Sequence, residues 1–504
     1  MELKLKKQAL FISEMLIDTT VEQPVECDAL LPDYCPDIVR ILKCIVTPTV
    51  SGRRLNGQRL ELEGMAVIVV YYTSTAEGIH KAEYKVPFAK TLELKAEPAK
   101  CAISVHAKAG YINCRAVNQR RLDIRGAVSI SASVMGCREE QVVVGGEGAG
   151  IQLREEGCNG SHLIGQQSRD VHLSETLELA YGKPVIKDIV RCHGIPRLVE
   201  CKTSDGKVVI KGELAVHMLY QHASGCDQMD FTLPTAAVVE LEGVDDKCNI
   251  SVCQELMFLS LEPCADREGE YRNITLEAGL LMTVKAECSY KAVTCTDCYS
   301  TKGQCSFRTK NYTTLRMEDS FHEQTTLREV MPLPENLEAI LDLWCDISSA
   351  TFRGDQTGVQ ADGRIVVSML ARMKDGNIYY FDKNMDMDEH LPVAAQNPIV
   401  DGRMTVVGSG FNFTANDAIE VRCDIMMDGT AYSQKRCTGV DEVTVDDKKP
   451  RTDTVQPGLY LYMAGDNEAV WDIAKRYNTS VARILEENPQ GDGKNGDILM
   501  IPVL

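Results

Sequence analysis

Four cysteines, Cys288, Cys295, Cys298 and Cys305, stand in a C-x6-C-x2-C-x6-C pattern. A C-x2-C pair can bring two thiolates onto one tetrahedral ion, which makes the quartet a candidate zinc site. The competing reading is small core or surface thiols, because strand alternation would send several of them to opposite faces. That second reading is adopted here, with no resident metal. Asp382, Asp386 and Asp388 form an acidic strip, read as a solvated strand edge, with a calcium site as the alternative. The nine histidines, among them His172, His193, His217, His222, His322 and His390, do not gather. The sequence has no Gly-x-Ser-x-Gly elbow, no Gly-x-x-x-x-Gly-Lys-Ser/Thr phosphate loop and no His-Glu-x-x-His helix. The glycine cluster at 145–150 lacks the Lys-Ser/Thr of a phosphate loop and is read as a linker. The expectation is a protein that is not an enzyme and carries no cofactor.

The chain has 504 residues, too many for one core, so three or four domains are expected. Its 54 basic and 73 acidic residues give a net charge of −19. Such a surface repels phosphate backbones and anionic lipid, so nucleic acid and membrane insertion are not expected. No export signal and no apolar run of spanning length is visible, which reads as cytoplasmic. In that compartment the 20 cysteines read as reduced thiols; in an oxidising layer they would cross-link.

The elements that must position these residues repeat at a spacing of about 150 residues. Each copy opens on a proline followed by a segment read as a short helix: Pro36 to Leu42, Pro184 to Arg191, Pro334 to Leu341. A strand follows that starts charged, crosses a glycine and turns apolar: Arg59–Gly64–Tyr72, Lys207–Gly212–Tyr220 and Gln360–Gly363–Arg372. The glycine suggests a bulge or bend. Each copy closes on more alternating strand, at 121–134, 273–286 and 417–427. The fold class expected is mainly β: three tandem antiparallel β-sandwich-like repeat domains plus a small α+β domain. The boundaries read are 1–150, 151–310 and 311–443 for the repeats, 444–456 for a charged flexible linker, and 457–504 for the last domain.

The last domain reads as strand, helix, helix, strand. Leu459 to Met463 is an apolar strand; Val470, Ile473, Ala474 and Tyr477 share a helix face; Ser480 is placed to cap a second helix that stops before Pro489; Ile498 to Pro502 closes. This order resembles a LysM module, a fold that grips N-acetylglucosamine polymers such as peptidoglycan. The resemblance implies a ligand or partner groove between two loops, Gly465, Asp466, Asn467, Glu468 and Asn488, Pro489, Gln490, Gly491. Asn467 stands where the usual LysM turn has Thr. Trp471 is read as core or groove wall.

The repeats resemble the SPOCS family of spore-forming bacteria. The residues that carry the resemblance are the opening prolines Pro36, Pro184 and Pro334, the strands Gly64 to Tyr72 and Gly212 to Tyr220, Val86-Pro87-Phe88, and Thr296 to Ser300. The third copy departs, with Arg372 in place of the closing Tyr. Several such copies and one LysM are similar to SipL-type spore morphogenesis proteins. The resemblance implies a scaffold or adaptor in the mother-cell cytoplasm at the forespore surface, docked on the coat-basement morphogenetic ATPase. The alternatives are a peptidoglycan-binding cell-wall protein and a LysM-targeted hydrolase, the latter needing an acid pair that the sequence does not gather.

Overall fold

The computed structural model describes residues 3–75, 78–414, 417–446, 449, 455–465, 468–489 and 498–503. It is mainly β. The first unit comprises β1 (Lys4–Leu30), β2 (Arg40–Asn56), β3 (Arg59–Thr73), β4 (His80–Glu93), β5 (Lys100–Ala116) and β6 (Arg121–Glu147). The second comprises β7 (Ile151–Glu178), β8 (Asp188–Ser204), β9 (Lys207–His222), β10 (Gly225–Glu240), β11 (Asn249–Cys264) and β12 (Asn273–Ser300). The third comprises β13 (Gln304–Pro332), β14 (Leu337–Gly354), β15 (Gly358–Met373), β16 (Ile378–Pro392), β17 (Ile399–Thr414) and β18 (Ala418–Asp446). In every unit the first, last and fifth strands form one three-stranded antiparallel sheet, and the second, third and fourth form another. Residues 304–310, grouped by sequence with the second unit, pair with the end of β18.

Within each unit the two sheets face each other across an apolar core. In the first, Leu60, Leu62, Ile68 and Tyr72 of β3 share a buried cluster with Leu122, Ile124 and Ile130 of β6. The burial of β3 alternates residue by residue, the period of two that makes one face of a strand apolar.

Three local readings are corrected. The proline-led segments are not helices: each is a turn that runs into β2, β8 or β14. Cys35 N bonds Pro32 O, Lys183 N bonds Ala180 O and Leu337 N bonds Pro334 O in those turns. Proline's fixed φ suits a turn as well as a first helical turn. The Ile- and Val-rich residues that follow are claimed by an extended ladder with β3, β9 or β15. The glycines of the second anchor do not bulge. At Gly64 the ladder to β4 is continuous, and the irregularity lies across from it in β2, between Val50 and Gly52. Gly64 instead makes room: an added Cβ would sit 2.3 Å from the Phe88 ring and 2.4 Å from Thr49 O. Finally, the glycine cluster is no slack linker. Gly145 and Gly146 are paired in β6, and residues 148–150 turn tightly with φ of 91°, 48° and 65°.

The first and last strands of each unit are 27 to 29 residues long, well beyond their neighbours. Each fifth strand pairs with only part of the last: β5 reaches Cys137, β11 reaches Glu287 and β17 reaches Tyr432. Beyond those points the first and last strands continue as a two-stranded arm. Such a ribbon is marginal alone because both faces are bare. The three arms cover one another. Leu10, Ile12 and Val142 of the first pack with Cys158 and Ala292 of the second and Tyr312 and Cys437 of the third. Further out, Val143, Ile151, Cys295, Cys298, Val440 and Val443 form a second shared cluster. A disulfide, Cys158–Cys437, ties the second arm to the third. A second, Cys248–Cys288, lies within the second unit. The expectation of twenty reduced thiols is therefore corrected at four positions; the other sixteen stay outside disulfides.

The smaller sheets of the three units also meet, with Tyr71, Val190, Leu219, Leu341, Trp344 and Leu370 buried together. Beside them runs a buried polar network between units two and three. Arg191 Nη1 donates to Asp342 Oδ2 at 3.0 Å, and the guanidinium lies 4.0 Å above the Trp344 ring. His217 bridges Asp230 (2.7 Å) and Asp342 (3.2 Å) through its two ring nitrogens. Burial works to lower His217, but the bonds to Asp230 and Asp342 outweigh it and push it up to about 9. His193, opposite His217 in the ladder, is lowered to about 4 by burial and by Arg191.

Removing one partner of a fully buried ion pair leaves an uncompensated charge. Asp342→Ala is expected to destabilise the chain by about 3–5 kcal/mol in urea unfolding, whereas Asp386→Ala, at an exposed pair, changes it by less than about 1 kcal/mol. A pH series gives a second outcome. The raised His217 contributes stability that is complete below about 6.5 and is lost as pH rises through about 9. The lowered His193 contributes stability that is complete above about 6.5 and is lost as pH falls toward about 4. The melting temperature should therefore peak near pH 6.5, and His217→Gln should flatten its alkaline side alone.

Candidate functional site

After the third unit the chain forms β19 (Gly458–Met463), α1 (Val470–Arg476), α2 (Val481–Glu487) and β20 (Ile498–Val503), with β19 and β20 paired antiparallel. Helix α1 buries Ile473 and Ala474 and carries Lys475 and Arg476 in its last turn, where cations suit the helix dipole. Ser480 Oγ accepts from Arg483 N, the cap that its position suggests. Ile473, Ala474 and Ile484 pack on Leu499, Ile501 and Val503.

The described loop residues are spent on holding this unit together. Glu468 accepts from Tyr462 Oη (2.8 Å), Gly465 N (3.2 Å) and Arg476 Nη2 (2.7 Å). Asn488 Nδ2 donates to Ile484 O and Met500 O, and its Oδ1 accepts from Met500 N at 2.8 Å, pinning α2 to β20. Pro489 follows in a turn. Asp466, Asn467, Gln490 and Gly491 lie outside the described residues, as does most of the charged run 446–453.

Sequence reasoning missed how this unit is held to the body. Asp297 of β12 accepts from Trp471 Nε1 at 2.8 Å and from Lys475 Nζ at 2.7 Å. Tyr299 is buried in the core of the small unit, 5.0 Å edge-on from Trp471, and its hydroxyl donates to Thr479 O at 2.6 Å. Asn478 Nδ2 reaches Thr301 O at 3.2 Å. Trp471, read as core or groove wall, lies at the junction with the body. Burial raises the Asp297 carboxyl, and the bonds from Lys475 and Trp471 more than reverse this, leaving it lowered. The unit is docked, not loosely tethered.

Its opposite side is bare. Leu459, Leu461, Met463 and Ile498 are 60, 75, 68 and 63% exposed, and Met500 lies beside them. Leu461 is opposite Met500 and Met463 opposite Ile498, so these side chains form one continuous apolar face on the outer side of the two-stranded sheet. The alternation was visible in the sequence; which side the helices and the body would cover was not.

The cysteine quartet does not assemble, which corrects the zinc candidate. Cys288 is bonded to Cys248, Cys295 is buried between the arms, and Cys298 lies 3.8 Å from Cys305. Asp245, Cys248 and Cys288 place potential ligand atoms within 4.8 Å, but the two sulfurs are bonded to each other. Strand pairing disperses the quartet: Cys288, Cys295 and Cys298 of β12 stand opposite His162, Glu155 and Leu153 of β7, and Cys305 of β13 opposite Val445 of β18. The acidic strip is partnered piece by piece: Asp382 with Lys43 at 3.4 Å, Asp386 with Arg364 at 2.8 Å, and Asp388 with Gln360.

If Asp297 anchors the unit, Asp297→Ala should cost about 1.5–3 kcal/mol of docking, the range for a hydrogen bond to a charged group. Limited proteolysis within 447–456 would read it as faster cleavage. Because the Asp297 carboxyl is lowered, its contribution is present above the ordinary carboxylate range, about 3.9, and is lost as pH falls below it.

No curated protein and no solved structure matches the chain. Residues 37–117 and 185–260 match the family model described as SipL, SPOCS domain. Those segments take in β2–β5 of the first unit and the corresponding β8–β10 with most of β11 of the second, the strands between the long first and last ones. The match supports a sporulation-related repeat protein of the SipL-like SPOCS type.

Proposed function

We propose that this chain is a non-enzymatic scaffold of spore-envelope assembly, and that its C-terminal unit, read as a LysM module, docks on the coat-basement morphogenetic ATPase at the forespore surface from the mother-cell cytoplasm. The observation that carries the reading is the continuous apolar face of Leu459, Leu461, Met463, Ile498 and Met500, turned outward from a unit fixed to the body by Asp297 and Tyr299. Exposed apolar side chains gathered on one face mark association sites. The SPOCS match supports the setting, a sporulating cell. The face suits a protein partner better than a glycan: sugar hydroxyl and acetamide groups need polar partners, and Glu468 and Asn488 are committed to internal bonds.

A fluorescent fusion in sporulating cells tests this. The wild-type chain should form a shell around the forespore, and Leu461→Asp with Met463→Asp should disperse it while leaving the melting temperature within about 2 °C, since surface changes seldom exceed about 0.5 kcal/mol. Copurification with the ATPase should fall in parallel. A shell that persists in the double variant overturns the apolar face as the docking site. Retention on purified peptidoglycan with an even wall signal would favour the glycan-binding alternative.

A further inference from the structure

Where β5, β11 and β17 meet, the three units line a partly open cavity of about 110 Å³. The fifth residue of each strand lies on its wall: Ser104 in the first unit, Cys253 in the second, Arg403 in the third. One register position of the repeat has thus become a hydroxyl, a thiol and a guanidinium around a single space.

The carboxylates on this wall are matched. Glu255 holds Arg53 at 2.5 Å, Asp401 lies 3.6 Å from Lys285, and Asp428 is bonded to His322. Arg403 has the charges of Asp428 and Glu255 close enough to favour its ionised form, but it is not hydrogen-bonded to either. Among the described residues its one hydrogen bond runs from Nη1 to Cys253 Sγ, at 2.9 Å. Burial pushes that thiol up, so it stays protonated and adds no negative charge. One further donor borders the space without a partner among the described residues: Arg53 Nε is buried and unpaired. A buried donor left without a partner costs about 1–3 kcal/mol, and a guanidinium fork fits an oxyanion in two parallel bonds.

We propose that this inter-unit cavity binds a small oxyanion, the shared chemistry of inorganic phosphate and short carboxylates, on the guanidinium of Arg403. The site does not depend on the scaffold reading. An anion there would touch all three units and so favour their joined state.

The full chain is melted in rising sodium phosphate, sodium malonate and sodium chloride at equal ionic strength. Phosphate or malonate should raise the melting temperature with the logarithm of its concentration, as a bound ligand does; the chloride series corrects for general salt effects. Arg403→Met should abolish the increment, and Arg308→Met, at an exposed arginine, should keep it. An increment of the same size in Arg403→Met, or none in the wild type, overturns the proposal. Should Arg403→Met fold poorly, peptide-resolved alkylation of Cys253 by iodoacetamide in the wild type decides. At ten times the dissociation constant only about one site in eleven is free, so the rate should fall about tenfold, and an unchanged rate overturns the proposal.

Discussion

The pairing of each unit's first strand with its last, along their entire length, is the constraint on which the rest of this structure depends. It closes each unit by bringing residues from 86 to 149 positions apart into one ladder. It also overshoots. The fifth strand stops short, and the overhanging ribbon has apolar residues and no sheet to cover them. An exposed two-stranded ribbon of this kind is not stable in water. Three of them, joined by the tight turns at 148–150 and 301–303, solve the problem together. The units are therefore repeats in sequence and in strand order, but their stability is held in common.

That shared construction places the polar groups that matter. The Arg191–Asp342–His217–Asp230 network and the Arg403 cavity both lie between units, and the buried Arg191 and Asp342 each find their partner in another unit. Interactions of this type contribute little net stability against an apolar alternative, but they penalise misaligned docking strongly. In a chain whose three units have similar sheets, such pairs distinguish the correct neighbour and register from the others. Asp342 has its partner only when β14 lies against β8 and β9.

Much of the strand order was legible in the sequence, because a half-buried strand writes its period of two directly into alternations such as Val208 and Ile210 against Lys207 and Lys211. The opening prolines were legible as anchors but not as turns: Pro followed by Ile, Val and Leu satisfies a helix start and a strand start equally, and only the ladder with β3 or β9 decides. The arms were not legible. Nothing local tells Leu10 and Ile12 that their cover is Tyr312, some three hundred residues away. The same limit hid the sites. Asp297 was read only as part of the segment Thr296 to Ser300 until the ladder turned it toward Trp471, and the same ladder gives Cys288, Cys295 and Cys298 different neighbours.

Docking of the C-terminal unit changes how its apolar face would act. A module on a slack tether samples many orientations and gains from effective concentration alone. Here Asp297 and Tyr299 belong to the second arm and Thr301 to the turn that follows it; that arm is buried against the other two and tied to the third by Cys158–Cys437. The outer face of β19 and β20 consequently has one orientation relative to all three units. A partner seated on Leu461 and Met463 would fix the direction of the whole body, and the faces of the body would be offered to further partners at set angles. Orientation of that kind is what an assembly built in layers requires, and it follows from an aspartate and a tyrosine on a strand that its own unit leaves uncovered.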